Sequence, residues 1–163
     1  MTDFGDKAAP APKPATHSAV EPLSESELIT QILNSSKTIA VVGLSNDRKR
    51  PSFHVAEYLK SVGYQMIPVN PFETEVLGEK SYARLQDVPT SVDIVEIFRR
   101  AQFVPEIVDA AIQIGARCVW MQEGIVHAEA AERARQSGIL VIMNLCMLKE
   151  HLRRSRQPAS KPR

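Results

Sequence analysis

The sequence predicts a single α/β domain built on a five-stranded, doubly wound parallel sheet with helices on both faces, which is a Rossmann-like fold. Short β-branched runs alternate with helical segments of about ten residues, as repeated βαβ units require. The runs are continuously apolar instead of alternating, which is typical of parallel strands buried on both faces. Because crossovers between parallel strands are right-handed, such units wind into one twisted sheet.

The first two elements are a capped helix and a buried strand. Ser24 and Glu27 form an S-x-x-E capping box, which predicts a helix that runs to about Asn34. The apolar run from Thr38 to Leu44 predicts the first strand. These elements open the domain.

The second helix and the next two strands follow from proline and glycine positions. Pro51 suits the first turn of a helix, and Gly63 suits its end. YQMIPVN, residues 64–70, predicts the second strand, with Pro68 near its end because proline donates no ladder hydrogen bond. VDIVEIF, residues 92–98, predicts the third strand.

The remaining elements repeat this order. A helix is expected over 104–114, with Pro105 in its first turn and Gly115 as its stop. A strand over 116–121, a helix over 127–137, a strand over 139–144 and a short helix over 145–152 complete the fold.

Composition divides the chain into three parts. Residues 1–22 are rich in alanine, proline and lysine and are expected to form a disordered tail, residues 23–152 form the domain, and residues 153–163 form a basic tail. The last fifteen residues carry a net charge of +5, which leaves −4 for the rest of the chain. A domain with that charge is not expected to bind nucleic acid.

Several classes of protein are disfavoured by what the sequence lacks. It contains neither an apolar run long enough to span a membrane nor a secretory signal. Cys118 and Cys146 are too few for a disulfide framework and lack the spacing of a zinc site, so no metal is expected. A reducing cytoplasm is the expected compartment.

The loop after the first strand is a candidate phosphate site. Ligands of doubly wound sheets bind beyond the carboxyl ends of the strands, where GLSNDRKRPS leads into a helix. The glycine allows close backbone approach, and hydroxyls, helix amides and cations can bind phosphate. The candidate residues are Gly43, Ser45, Arg48, Lys49, Arg50 and Ser52. A mobile basic loop with an ordinary glycine turn is the alternative interpretation.

The ends of the next two strands contribute further candidates. Asn70 and Pro71 offer an amide and an apolar edge for a purine or ribose, although Asn-Pro also commonly starts a turn. Phe98 and Arg99 offer an aromatic face and a guanidinium, and a solvated arginine pair is the alternative. Since neighbouring side chains point in opposite directions, at most one of Arg99 and Arg100 is expected to face a ligand, and Arg99 is preferred.

The usual dinucleotide signature is missing. The first loop lacks G-x-G-x-x-G, and the second strand lacks the terminal acidic residue that would bind a ribose. No pair of a general acid and a general base is evident in the loops at this edge. These absences disfavour an NAD(P)-dependent oxidoreductase, which remains an alternative, as does a nucleotide-binding regulatory scaffold.

Four blocks of sequence, spanning about Thr38 to His151, resemble the CoA-binding domain proteins, a stand-alone version of the N-terminal domain of the succinyl-CoA synthetase alpha subunit. They are IAVVGLSNDRKRPSFHVAEYLKSVGY, IPVNPFETEVLGEKSY, VDIVEIFRRAQFVPEIVDAAIQIGA and VWMQEGIVHAEAAERARQSGILVIMNLC. The resemblance implies coenzyme A or acyl-CoA as ligand. Gly43, Ser45 and the basic turn would hold its phosphates.

The resemblance also implies roles for residues at the neighbouring strand ends. Asn70 and Pro71 would border the adenosine, and Phe98, Arg99 and Pro105 would line the next stretch. We expect no counterpart of the second domain that supplies the phosphorylated histidine of the synthetase. We therefore expect a binding module that acts as carrier, sensor or regulator, with no catalytic residue and an unknown protein partner.

Overall fold

The computed structural model describes residues 21–157, which form one five-stranded parallel sheet with helices on both faces. Most of the predicted N-terminal tail and the last six residues of the predicted basic tail lie outside the described residues. The strands of the sheet are ordered β2-β1-β5-β6-β7. The predicted fold class is confirmed.

The strands and helices follow the predicted order. The strands are β1 Thr38–Val42, β2 Gln65–Val69, β3 Glu75–Val76, β4 Glu79–Lys80, β5 Ile94–Ile97, β6 Cys118–Met121 and β7 Leu140–Ile142. The helices are α1 Glu25–Ser35, α2 Pro51–Ser61, α3 Val104–Ile114, α4 Ala128–Gln136 and α5 Met147–Ser155. Short 3-10 turns occur at Leu85–Asp87 and Ala101–Phe103.

Local signals explain where several helices begin and end. The Ser24 hydroxyl accepts from the Glu27 amide while the Glu27 carboxylate accepts from the Ser24 amide, so the capping box is formed. Pro105 lies in the first turn of α3, and Gly115 ends that helix with a left-handed φ of 71°. The sequence signals therefore act as predicted at these ends.

Two apolar cores lie on opposite faces of the sheet. One contains side chains of α1, α2 and α5 and includes Trp120, whose indole N–H donates to the Leu145 carbonyl at 2.8 Å. The other contains side chains of α3 and α4, which pack over Val95 and Val119. Burial on both faces holds the strand ends in a fixed arrangement.

The order of the strands reverses at the centre of the sheet. The chain moves outward from β1 to β2, then returns past β1 to β5 and continues outward to β6 and β7. The crevice between the carboxyl ends of β1 and β5 is therefore the topological switch point, where doubly wound sheets bind ligands. Gly43 follows β1, and Phe98 follows β5.

The structure differs from the prediction at three places. An antiparallel hairpin of β3 and β4 follows β2, and its two-residue strands carry too little periodicity to be recognised in sequence. Each of the five predicted strands is two or three residues too long in total, because the backbone turns toward loops at the strand ends. Helix α5 extends to Ser155, beyond the predicted domain boundary at residue 152.

No helix within residues 21–157 combines the length and the apolar character needed to cross a membrane.

Candidate functional site

Gly43 is the point where the backbone of the first loop meets the end of β5. Its φ is +92°, and a Cβ atom there would lie 2.8 Å from the Phe98 carbonyl oxygen and 3.1 Å from Cδ of Arg99. The position therefore requires glycine both for its backbone conformation and for its space. This close packing brings the loop after β1 and the end of β5 together at the switch point.

A first cavity of about 360 Å³ opens on the α3 side of Gly43. Its walls are mainly apolar and come from the ends of β1 and β2, the 83–86 segment and α3. Arg84, Arg99 and Glu106 supply the charged groups at its edge. The cavity is lined by Val42, Gly43, Val69, Pro71, Ala83, Arg84, Leu85, Gln86, Arg99, Phe103, Glu106, Ile107 and Ala110.

A second cavity of about 480 Å³ opens on the α2 side of the same glycine. The first turn of α2 forms one wall. Pro51 has no N–H and the Phe53 amide donates to the Arg50 carbonyl at 3.2 Å, which leaves the Ser52 amide as the free donor of this turn. The end of β6 and the start of α5 form the other wall. The lining residues are Gly43, Arg50, Pro51, Ser52, Val55, Phe98, Gln122, Glu123, Ile125 and Cys146.

The loop between Gly43 and α2 is held by a carboxylate that the sequence analysis did not single out. One Glu73 oxygen accepts from the Asn46 amide at 2.9 Å and from the Ser45 hydroxyl at 3.3 Å. The other accepts from the Asn46 side chain at 2.7 Å. These bonds lower the pKa of Glu73, with the Asn46 amide contributing most. The Ser45 end of the predicted phosphate loop therefore already holds an anionic group.

The three cations of the loop have different surroundings. The Arg48 guanidinium lies 5.3 Å from the centre of the Phe53 ring, and Arg50 pairs with Asp47 at 3.7 Å. The Lys49 amide donates to the Asp47 carboxylate at 3.0 Å. Of the three, Arg50 lines the second cavity. Arg48 and Lys49 lie outside the lining of both cavities described above.

Phe98 and Arg99 diverge to opposite sides of the switch point. Phe98 lines the second cavity, whereas Arg99 lines the first. The Arg99 guanidinium lies 4.3 Å from the centre of the Phe103 ring, which fixes the cation above an aromatic face at the cavity edge. Alternation along an extended segment produces this divergence.

The other predicted residues, which follow β2 or begin α3, hold loops and helices together or line the first cavity. The Asn70 side chain donates to the Leu44 carbonyl at 3.0 Å and accepts from the Phe72 amide at 2.9 Å, so it joins the loops after β1 and β2. Pro71 lines the first cavity. Pro105 begins α3, and its carbonyl accepts from Arg133 at 3.0 Å.

The structure thus brings most of the predicted residues around Gly43. Six line a cavity: Gly43, Arg50, Ser52, Pro71, Phe98 and Arg99. Five have the other surroundings described above: Ser45, Arg48, Lys49, Asn70 and Pro105. The ligand-binding roles of all eleven stay predictions.

Sequence reasoning missed three contributors to the site. Glu73 and the 83–86 segment follow β2 in a stretch where no strand or helix was predicted. Gln122 follows β6, so its place at the carboxyl edge of the sheet was the available signal.

A buried acid lies beneath the second cavity. Glu96 in β5 is fully buried, and its carboxylate accepts from the Gln122 side-chain amide. Burial raises the pKa of Glu96 to about 8, which the Gln122 hydrogen bond partly opposes. At neutral pH this group is therefore mainly a neutral carboxylic acid.

Clusters of three or more histidine, cysteine or acidic side chains able to hold a metal are absent from residues 21–157.

Comparisons with known proteins identify relatives of the whole domain. The model of the CoA binding domain family matches residues 37–152. The chain is 39% identical to the uncharacterized protein YneT of Bacillus subtilis (strain 168), over 76% of this chain and 91% of that protein. A solved structure of a hypothetical protein from Pyrococcus horikoshii OT3 is similar with a TM-score of 0.78 and 37% identity, over 82% of this chain and 94% of that one.

A part of a larger enzyme is also similar. The chain is 34% identical to acetate–CoA ligase (ADP-forming) II of Archaeoglobus fulgidus, over 50% of this chain but 12% of that enzyme. The matched family model covers both cavities and the loop between them. The chain therefore belongs to the CoA binding domain family.

Proposed function

We propose that this chain binds coenzyme A or an acyl-CoA across the two cavities that meet at Gly43, and that it acts as a carrier, sensor or regulator in the cytoplasm. The observation that carries the proposal is the meeting of an apolar cavity and a helix N-terminus at the switch point of a CoA binding domain. The two free cysteines, Cys118 and Cys146, are in keeping with a reducing compartment.

The first cavity suits the adenosine part of the ligand. Its apolar walls from Val69, Pro71 and Leu85 match the faces of a purine. Arg99, steadied by Phe103, offers bidentate hydrogen bonds to a phosphate at the cavity edge. A CoA 3′-phosphate is the group this cation would bind.

The first turn of α2 suits the pyrophosphate. The α2 N-terminus favours an anion through the helix dipole and the Ser52 amide, and Arg50 adds a positive charge beside them. The Ser52 hydroxyl is buried without a hydrogen-bond partner, so a phosphate oxygen would satisfy it. Because Glu73 occupies the Asn46 amide, we assign the phosphates to the α2 side of Gly43.

The ligand panel for a thermal unfolding experiment contains CoA, acetyl-CoA, NAD, NADP and ATP. A ligand specific for the native state, present at about 100 times its Kd, adds about 2.7 kcal/mol of stability. We expect CoA or acetyl-CoA to raise the Tm and the nicotinamide cofactors to have little effect. Stabilisation by NAD or NADP without either CoA species would favour the oxidoreductase alternative, and no shift with any ligand would favour a scaffold.

Two arginine variants give a matched comparison. Arg99→Ala removes a cation from the first cavity, whereas Arg135→Ala removes an exposed cation of α4 that pairs with Glu132. We expect Arg99→Ala to weaken CoA about tenfold and dephospho-CoA less, because the lost contact is to the 3′-phosphate. Equal effects of the two variants on CoA would remove Arg99 from the binding site.

A further inference from the structure

Glu96 and Gln122 form a buried polar pair between the sheet and the second cavity. Glu96 lies at the centre of β5, with Val41 of β1 and Trp120 of β6 beside it in register. The Gln122 side-chain amide donates to one Glu96 oxygen, and the other Glu96 oxygen has no hydrogen-bond partner. Such a pair in an otherwise apolar layer costs free energy to bury, which invites a functional explanation.

The pair reaches the second cavity through Gln122. Gln122 is 97% buried as a residue, yet it contributes to the cavity wall. Since the Gln122 nitrogen donates to Glu96, the Gln122 carbonyl oxygen is left as an acceptor. A ligand that carries an N–H donor is the complementary partner of that oxygen.

The other walls of the second cavity narrow the choice of ligand chemistry. Val55, Phe98 and Ile125 supply apolar surface around Gln122. A flexible chain that is mostly apolar but contains secondary amides matches this combination. The pantetheine arm of CoA has that chemistry, and the cavity adjoins the α2 N-terminus to which we assign the phosphates.

We propose that Glu96 is a positioning residue that fixes the Gln122 carboxamide, so that Gln122 accepts a hydrogen bond from an amide N–H of the pantetheine arm. The inference rests on the proposed function. It adds that Gln122 makes the protein prefer ligands that carry the pantetheine arm over the nucleotide half alone. Glu96 itself touches no ligand, because its side chain lies beneath Gln122. A pair that served folding alone would leave ligand selectivity unchanged.

The test compares CoA with adenosine 3′,5′-bisphosphate, which lacks the arm together with the second phosphate of the pyrophosphate but keeps the adenosine and both of its own phosphates. Titration calorimetry on the full chain would measure both Kd values for the wild type, Gln122→Leu, Glu96→Leu and Glu96→Gln. We expect Gln122→Leu and Glu96→Leu each to weaken CoA about tenfold, the effect of one hydrogen bond, with the bisphosphate unchanged. Glu96→Gln keeps an acceptor for Gln122 and should remain within about twofold of the wild type.

A double variant tests whether Glu96 acts through Gln122. Glu96→Leu combined with Gln122→Leu should weaken CoA no more than Gln122→Leu alone. Additive losses, equal weakening of both ligands, or unchanged CoA affinity in Glu96→Leu would overturn the inference. Wild-type protein that binds the bisphosphate as tightly as CoA would overturn this inference while leaving nucleotide binding intact. Wild-type protein that binds neither compound would overturn the proposed function as well.

Discussion

At the scale of single residues, Gly43 carries the strictest requirement in the site. Gly43→Ala would place a methyl group against the Phe98 carbonyl in a backbone region that disfavours side chains. We expect it to lower the free energy of unfolding by about 3 kcal/mol, measured by urea denaturation.

Gly138→Ala is the matched control for this prediction. Gly138 has a φ of +81°, but a Cβ atom there would have no neighbour within 4 Å. We expect a loss of about 1 kcal/mol from backbone strain alone. If the two variants lose equal stability, the contact with Phe98 is not what demands glycine at position 43.

Glu96 makes stability depend on pH. Its pKa is about 8 in the folded protein against an ordinary value of 4.5, so the folded state binds one more proton between these values. Stability from this group is therefore present at low pH and lost as pH rises toward 8. Between about pH 5.5 and about pH 7.5, the free energy of unfolding of the wild type should fall by about 2 kcal/mol relative to that of Glu96→Gln.

The comparison with Glu96→Gln isolates this effect from other titrations. Burial lowers the pKa of His151, which makes its contribution to stability rise with pH in the same range. That contribution is common to both proteins and cancels in their difference. Urea unfolding curves at each pH measure the difference in the free energy of unfolding between the two proteins. If that difference does not change with pH, an ionised Glu96 is tolerated in the core.

The site residues also show how far sequence reasoning reaches. The placement of Gly43, Phe98 and Arg99 at the carboxyl edge of the sheet could be predicted because strand ends of a parallel sheet converge. Glu73 could not, because it approaches Asn46 from a segment without regular periodicity. The Glu96–Gln122 pair depends on the register of β5 and β6, which the sequence of either strand does not specify.

At the scale of elements, α5 is joined to α1 by Arg154. Its guanidinium donates to the Thr30 hydroxyl at 2.8 Å, to the Ser26 carbonyl at 3.0 Å and to the buried Glu150 carboxylate at 2.7 Å. Helix α5 continues past residue 152 because these contacts order its last turn. Composition marked this stretch as a basic tail, since charge runs are usually solvated. The Glu150–Arg154 pair has helical i,i+4 spacing, but the hydrogen bonds of Arg154 to Thr30 and Ser26 leave no local pattern.

Arg154→Ala should therefore be costly. We expect a loss of about 2 kcal/mol in the free energy of unfolding, because Glu150 would stay buried with a weaker partner. Arg153→Ala serves as control, since Arg153 pairs with the same carboxylate but its side chain is 66% exposed. It should cost less than about 1 kcal/mol in the same measurement. Similar losses would show that the contacts with α1 contribute little.

At the scale of the whole molecule, the proposed binding of an anionic ligand to a near-neutral chain would depend on a local group of cations. The net charge is +1, whereas Arg50, Arg84 and Arg99 are grouped around the two cavities. Exposed charges are screened beyond about 10 Å at about 0.1 M salt. Attraction of CoA would therefore depend on this group more than on the total charge.

Salt should weaken CoA binding as a result. Raising NaCl from about 0.05 M to about 0.3 M should increase the Kd for CoA several-fold in titration calorimetry. Uncharged pantetheine, if it binds measurably, should show little change. Salt-independent CoA binding would contradict a role for these cations in recruiting the ligand.

The fold as a whole was the most predictable level. Alternating apolar strands and helices, with proline at helix starts and glycine at helix ends, specify α2, α3 and the five strands of the sheet. Pro68 lies in β2, at the edge of the sheet, where its missing N–H costs least. The β3–β4 hairpin was missed because tertiary contacts stabilise it more than its own sequence does.

The carboxylate of Glu73 in the loop after β1 has a consequence for selectivity. Any anion that approaches the Ser45 and Asn46 donors competes with the Glu73 carboxylate, whose attachment to the chain gives it a high effective concentration there. A small free anion gains a single set of contacts and is therefore not expected to displace the Glu73 carboxylate. Because the proposed position of the phosphates lies on the α2 side of Gly43, coenzyme A would pass beside this carboxylate, and the loop would disfavour small anions at the Ser45 and Asn46 donors.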